Sequence, residues 1–123
     1  MAKLAHATLT QFPQHYHYFG QTHFQGRKST NALLSRPDVD GFKTGYTRAS
    51  GYNLVISATR AVDGQSRRLL AIVLGGASTG ARNAHMEELI DRGFEVMRQT
   101  SDSSLPSPTP RQASVQNVSV ATA

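Results

Sequence analysis

Between residues 52 and 75 the apolar positions change period, and those changes predict the centre of the fold. Tyr52, Leu54, Ile56 and Ala58 recur at every second position of Tyr52–Thr59, the period of a strand with one buried face. Arg68–Gly75 instead carries a continuous apolar run from Leu69 to Leu74, as a strand covered on both faces does. The connection Ala61–Arg67 contains Asp63–Gly64, a hairpin-turn pair, so the two strands should be antiparallel neighbours. A third strand, Gly41–Thr47, is bracketed by turn signals at Pro37–Asp38 and Ser50–Gly51. From Thr79 to Arg98 the period becomes helical. Met86, Leu89, Ile90, Phe94 and Met97 form a stripe that Ala81 and Ala84 extend, opposite Glu87, Glu88, Asp91, Arg92 and Glu95. Ser78 or Thr79 is placed to cap this helix.

Upstream, Met1, Ala5, Leu9 and Phe12 share a helical face, and Pro13 ends that helix because it disfavours helical geometry in the residue before it. Residues 14–28 read as irregular chain or a short hairpin. His17, Phe19, Gln21 and His23 alternate with Tyr18, Gly20, Thr22 and Phe24, and Gly26 can supply the turn. The sum is an α+β fold, an antiparallel sheet packed with helices. From about Ser101 the composition shifts to Ser, Thr and three Pro with no aromatic residue, too little apolar area to offset ordering. The expectation is a folded part over residues 1–98 and a disordered Ser/Pro-rich tail over 99–123.

Composition narrows the function classes. The chain has 123 residues, a net charge of +5 and no Cys, which excludes a disulfide scaffold and a thiolate zinc site. No apolar run approaches the ~20 residues of a membrane span, and Met1–Phe12 does not read as a signal peptide. Nine basic and three acidic residues lie in 1–77, against four and five in 78–123. That bias suits an anionic partner and equally an ordinary soluble surface. His6, His15, His17 and His23 have no carboxylate among them, and no metal site is expected. The aromatic-rich stretch Phe12–Lys28 holds only two full positive charges, Arg27 and Lys28, and no nucleic-acid partner is expected. Gly75-Gly76-Ala-Ser-Thr-Gly80 is followed by Ala81 and Arg82 rather than Lys-Ser/Thr, which reads as a tight turn and not a phosphate loop.

The informative stretch is Asp38–Tyr52, DVDGFKTGYTRASGY. Lys43-Thr44-Gly45 on a strand matches the third signature of the active-site serine penicillin-binding proteins and β-lactamases. The residue types suit a peptide carboxylate: a fixed cation, a hydroxyl donor, and a glycine that lets a ligand backbone lie against the strand. The order VDGFKTGYT, GYNLVISATR, RRLLAIVLGGAS, then a helix with ARNA and a terminal LIDRGF, closely resembles the serine-type D-alanyl-D-alanine carboxypeptidases. These are the DacA-like low-molecular-mass penicillin-binding proteins. QFPQHY, FGQTHF and Asn31-Ala-Leu-Leu34 fit the same family, so the likeness runs over about residues 1–98.

The resemblance implies a partial penicillin-binding-protein/β-lactamase-like fold and a set of roles. Lys43 and Thr44 would line the cleft, Gly45 would leave room for substrate, and the Tyr46 backbone N–H would be an oxyanion-hole donor. Arg82 would face the substrate's terminal carboxylate. The implied reaction removes D-alanine from peptidoglycan stem peptides through an acyl-enzyme, with β-lactams as covalent inhibitors and no cofactor. The implied location is extracytoplasmic, with membrane association of the intact protein left open. The nucleophile motif S-x-x-K is absent, since no Ser has Lys three residues on. Ser29-Thr30-Asn31 reads S-x-N but lies too close to Lys43 to be the family's second motif. The chain is therefore expected to be the latter part of a catalytic domain, inactive alone, with an open strand edge that favours poor solubility or dimerisation. The alternatives are a β-lactamase-related hydrolase and a non-catalytic module that binds cell-wall peptide or a partner protein.

Overall fold

The computed structural model describes residues 1–102 and 118–122. In chain order the elements are α1 (Ala2–Gln11), a 3-10 helix (Pro13–Gly20), the two-residue strands β1 (His23–Phe24) and β2 (Arg27–Lys28), and a 3-10 turn (Ala32–Ser35). The sheet strands β3 (Val39–Thr47), β4 (Gly51–Val62) and β5 (Gln65–Gly76) follow, then α2 (Thr79–Asp102) and β6 (Val118–Thr122). β3, β4, β5 and β6 form one antiparallel sheet in that order, and β1 pairs with β2 in a separate hairpin.

The turn Asp63–Gly64 has both residues at positive φ, 52° and 77°, and Val62 pairs with Gln65 across it. That geometry matches the twist of the two flanking strands and fixes their register. The register then sorts the side chains by face. Leu54, Ile56 and Ala58 of β4 join Leu69, Ala71 and Val73 of β5 against Met86, Ile90, Phe94 and Met97 of α2. Val55, Leu70 and Ile72 point to the opposite face, where Ala5, Ala2 and Leu9 of α1 and Phe42 of β3 cover them. Helices on both faces explain why Leu69–Val73 is continuously apolar, while Leu74, the last residue of the run, is exposed. Each fully buried Leu, Ile or Phe contributes about 1.5–3 kcal/mol, so this double layer is the main source of stability.

Three local expectations change. In α1 Ala5 is buried with Ala2 and Leu9 half-buried beside it, whereas Met1 and Phe12 are 63% and 52% exposed, because the helix presents only a narrow face to the sheet. In α2, Ala81 and Ala84 are exposed and Arg82 is buried instead. The first turn of α2 thus departs from the stripe set by the core. Ser78 is the cap, accepting a hydrogen bond from the Ala81 N–H at 3.0 Å. Residues 13–20 form a 3-10 helix, not an alternating strand, and the hairpin around Gly26 begins only at His23. Tyr16 in that helix packs on Phe19 and Phe42 and donates to Asp40 Oδ1 at 2.9 Å. Those tertiary contacts override the local alternation. Burial pushes the Tyr16 hydroxyl well above the usual tyrosine pKa.

The tail expected over residues 99–123 falls mostly outside the described residues. α2 continues to Asp102, and Val118–Thr122 pairs with Leu69–Val73 of β5. Residues 103–117 and 123 lie outside the described residues. The outer edge of β5 is covered by β6, and an open strand edge, as expected, remains among the described residues along β3. Among the described residues no helix is long and apolar enough to cross a membrane.

Candidate active site

The β3–β4 hairpin places the Lys43–Tyr46 stretch. Lys43 lies opposite Val55, Thr44 opposite Leu54, Gly45 opposite Asn53 and Tyr46 opposite Tyr52. Val39 and Gly41 are buried at the start of β3, but from Lys43 onward the strand emerges to the surface and only Thr44 is half-buried. The first half anchors the strand, while the second half is offered to solvent at the sheet edge.

The anchor is an ion network. Asp38 accepts from Arg36 Nε and Nη2 at 3.1 and 3.2 Å and from Arg60 Nε at 2.8 Å. Asp91 of α2 accepts from Arg60 Nη2 at 2.7 Å and from Arg36 Nη2 at 3.3 Å. Burial alone would raise the Asp38 pKa, but the hydrogen bonds and charges of the two arginines outweigh it and hold the carboxyl below its ordinary value. The network joins the chain entering β3 to both β4 and α2, so it sets where Lys43–Tyr46 sits.

Lys43 lies along its own strand, with Nζ donating to the Thr44 carbonyl at 2.8 Å. The Thr44 hydroxyl is hydrogen-bonded to the hydroxyl of Thr30. At Gly45 an added Cβ would meet only Asn53 Cβ, at an ordinary 3.9 Å. Nothing among the described residues therefore demands a glycine there. Tyr46 is 56% exposed, and its ring packs on Tyr52 with centroids 4.4 Å apart.

Arg82 approaches from the other side. It is 4% exposed, in the first turn of α2. Nε and Nη2 donate to Asn83 Oδ1 at 3.1 and 3.0 Å, and Nη1 donates to the Asn53 carbonyl at 3.3 Å. Asn53 is the residue opposite Gly45, so Arg82 and Gly45 meet the same point of β4. No carboxylate among the described residues pairs with Arg82, and the first turn of α2 contains no acidic residue. Burial holds its pKa below the usual arginine value. A desolvated cation at the positive end of a helix dipole is unfavourable until an anion arrives.

Sequence reasoning missed Asn53 and Asn83, and met Thr30 only inside the rejected Ser29-Thr30-Asn31 match. Asn53 Nδ2 donates to Ser50 Oγ at 2.9 Å and to the Gly51 carbonyl, while its Oδ1 accepts from Gly75 N–H at 2.9 Å. It ties the hairpin turn to the end of β5 and presents its own carbonyl to Arg82. The available signal was its register opposite Gly45, which becomes visible once the β3–β4 turn is placed. Among the described residues no group of three His, Asp or Glu could hold a metal. A pocket of about 280 Å³ is lined by Leu9, Thr10, Pro13, Tyr16 and Arg68, and none of the predicted site residues lines it.

Comparison with known proteins agrees with the motif order. A family model described as D-alanyl-D-alanine carboxypeptidase matches residues 1–78. The D-alanyl-D-alanine carboxypeptidase DacA of Escherichia coli is 36% identical over 100 residues, which cover 76% of this chain and 24% of the relative. DacC of Escherichia coli is 37% identical over 100 residues, with the same coverage. DacF of Bacillus subtilis is 37% identical over 67 residues, 54% of this chain and 16% of the relative. The chain thus spans about a quarter of the length of DacA and DacC. No solved structure matches it significantly.

Proposed function

The chain belongs to the D-alanyl-D-alanine carboxypeptidase family, and from that premise we propose that it forms the carboxylate-binding wall of such an enzyme's cleft. The observation that carries the reading is Arg82: a buried cation, without an acidic partner among the described residues, held on the carbonyl of the residue opposite Gly45. Its fork geometry suits the terminal carboxylate of a D-alanyl-D-alanine peptide. Thr44 adds a hydroxyl donor to the same carboxylate. Gly45 keeps the strand edge clear so that the peptide backbone can lie along β3. Lys43 supplies positive potential beside the acyl group, and the Tyr46 N–H serves as one oxyanion donor.

In the intact enzyme a serine from outside this sequence attacks the penultimate D-alanine carbonyl. D-alanine leaves, and water then releases the acyl-enzyme. Within this scheme Arg82 and Thr44 orient the leaving residue, which is positioning in the sense of holding a near-attack geometry. The substrates are peptidoglycan stem peptides, β-lactams acylate the same serine, and the enzyme works outside the cytoplasm.

Two measurements test this. The 123-residue chain, incubated with a fluorescent penicillin, should carry no covalent label after denaturation. In amide NMR titrations, N-acetyl-D-alanyl-D-alanine should shift the Lys43–Tyr46 and Arg82 signals, and its C-terminal amide should not. A covalent label would overturn the assignment of the nucleophile to another segment. Equal responses to acid and amide would overturn the carboxylate subsite.

A further inference from the structure

Thr30 lies outside every motif of the site, yet its hydroxyl touches the hydroxyl of Thr44. The segment that carries it is fixed on both sides. The Ser29 N–H donates to the Thr22 carbonyl at 2.7 Å, and Ser29 Oγ accepts from the Asn31 N–H at 3.1 Å. Asn31 is buried, and its Oδ1 accepts from the Leu33 N–H at 3.2 Å, capping the turn that sends Leu33 into the core. Thr30 is therefore held against β3 by backbone and core contacts, not by the hydroxyl pair itself. The segment's polar groups are also incompletely met, since the buried Asn31 Nδ2 has no hydrogen-bond partner among the described residues.

A threonine hydroxyl has one proton and two acceptor lone pairs. If Thr44 donates to Thr30, its only proton is used within the chain. If Thr30 donates to Thr44, the Thr44 proton is free for a ligand. An ionised carboxylate only accepts, so its arrival selects the second arrangement. The resulting chain of two hydroxyls ending on a charge is mutually polarised. Resting on the carboxylate subsite proposed above, we infer that Thr30 is a positioning residue that donates to Thr44 Oγ1 and aims the Thr44 proton at the ligand carboxylate. Because the pair is exposed, water competes for it, and the bond contributes little to folding.

The test compares the full chain with Thr30→Val, which removes the hydroxyl at nearly constant shape, and with Thr30→Ser, which keeps it. Amide NMR gives the Kd of N-acetyl-D-alanyl-D-alanine, with the C-terminal amide as the control ligand, and urea unfolding checks the fold. Thr30→Val should raise Kd for the acid about threefold to tenfold, the net range of one hydrogen bond between neutral groups. Thr30→Ser should restore it, and unfolding midpoints should coincide. Wild-type affinity in Thr30→Val overturns the inference while leaving the subsite standing, and so does failure of Thr30→Ser to recover. A wild-type chain that does not respond to the acid overturns the subsite reading and this inference together.

Discussion

Replacing Arg82 with Met separates a structural role from a ligand-binding one. Met keeps an unbranched stem for the packing position and deletes the guanidinium. That group makes three hydrogen bonds, two of them to the single acceptor Asn83 Oδ1 and one at a long 3.3 Å. Bonds from a charged donor are worth about 1.5–3 kcal/mol in good geometry, and sharing one acceptor places this set at the lower end. Against that loss stands relief of a desolvated charge, a penalty of several kcal/mol for a fully buried ion and less for one that is hydrogen-bonded. The terms nearly cancel, so Arg82→Met should unfold within about 1 kcal/mol of wild type, with any change toward greater stability. An arginine in a buried structural ion pair would instead cost about 3–5 kcal/mol. Urea unfolding followed by circular dichroism decides between them. The same variant should bind N-acetyl-D-alanyl-D-alanine at least about thirtyfold more weakly, the low end of losing a desolvated charge partner. A stability loss above about 2 kcal/mol with unchanged dipeptide affinity would refute the assignment and make Arg82 a scaffold residue.

The remaining predictions concern the frame that holds the site. Asp38→Asn should cost about 2 kcal/mol at pH 7, because it leaves Arg36 and Arg60 facing only Asp91 and Glu87. Because the folded-state pKa of Asp38 is depressed, its contribution is complete above the ordinary carboxylate value of about 3.9. It fades as pH falls through the depressed value, so wild-type and variant unfolding curves should converge in acid and separate near neutrality. Phe94→Ala should cost about 3–5 kcal/mol in urea unfolding, since Phe94 is fully buried against β4 and β5 and also carries the stacked Arg60 guanidinium. Ending the chain after Asp102 removes β6 and bares the edge of β5. Light scattering should then show dimers or larger species for the shortened chain, and a monodisperse monomer would contradict the edge argument.

How much of this was legible in the sequence depended on whether a signal was local. The Asp63–Gly64 turn, the period of two in β4, the apolar run of β5 and the Met86–Met97 stripe all follow from backbone geometry acting within a few residues, and all appear in the fold. Lys43-Thr44-Gly45 stood out because the three are contiguous and match a known signature. Residues whose roles depend on register across strands could not be read. Asn53 matters because it lies opposite Gly45, and Thr30 because a turn folds it back onto Thr44. The burial of Arg82 contradicted the helical pattern, which put Ala81 and Ala84 on the apolar stripe. A charge buried where local patterning asks for alanine is a conflict between levels, and such conflicts concentrate where function has been paid for in stability.

The same conflict appears at the sheet edge. β5 has its outer edge covered by β6, and the start of β3 is covered by the 3-10 elements, where Tyr16 packs on Phe42 and Leu33 joins the core. The stretch from Lys43 to Thr47 is left without a strand partner on its outer side among the described residues. Unpaired edges invite pairing with other chains, and a charged lysine on the edge is a common deterrent. On the reading proposed above, Lys43 has two consequences from one position. It discourages a neutral or basic strand from adding to β3, and it lowers the electrostatic cost of adding a short peptide that ends in a carboxylate. On the carboxylate reading proposed above, Arg82, held on the Asn53 carbonyl of β4, sharpens that choice by favouring a peptide that ends in a carboxylate. On the same reading, a peptide without a free C-terminus would offer that cation only a neutral amide. On that proposed reading, a preference for a free C-terminus follows from where the edge is open and where the buried charge lies.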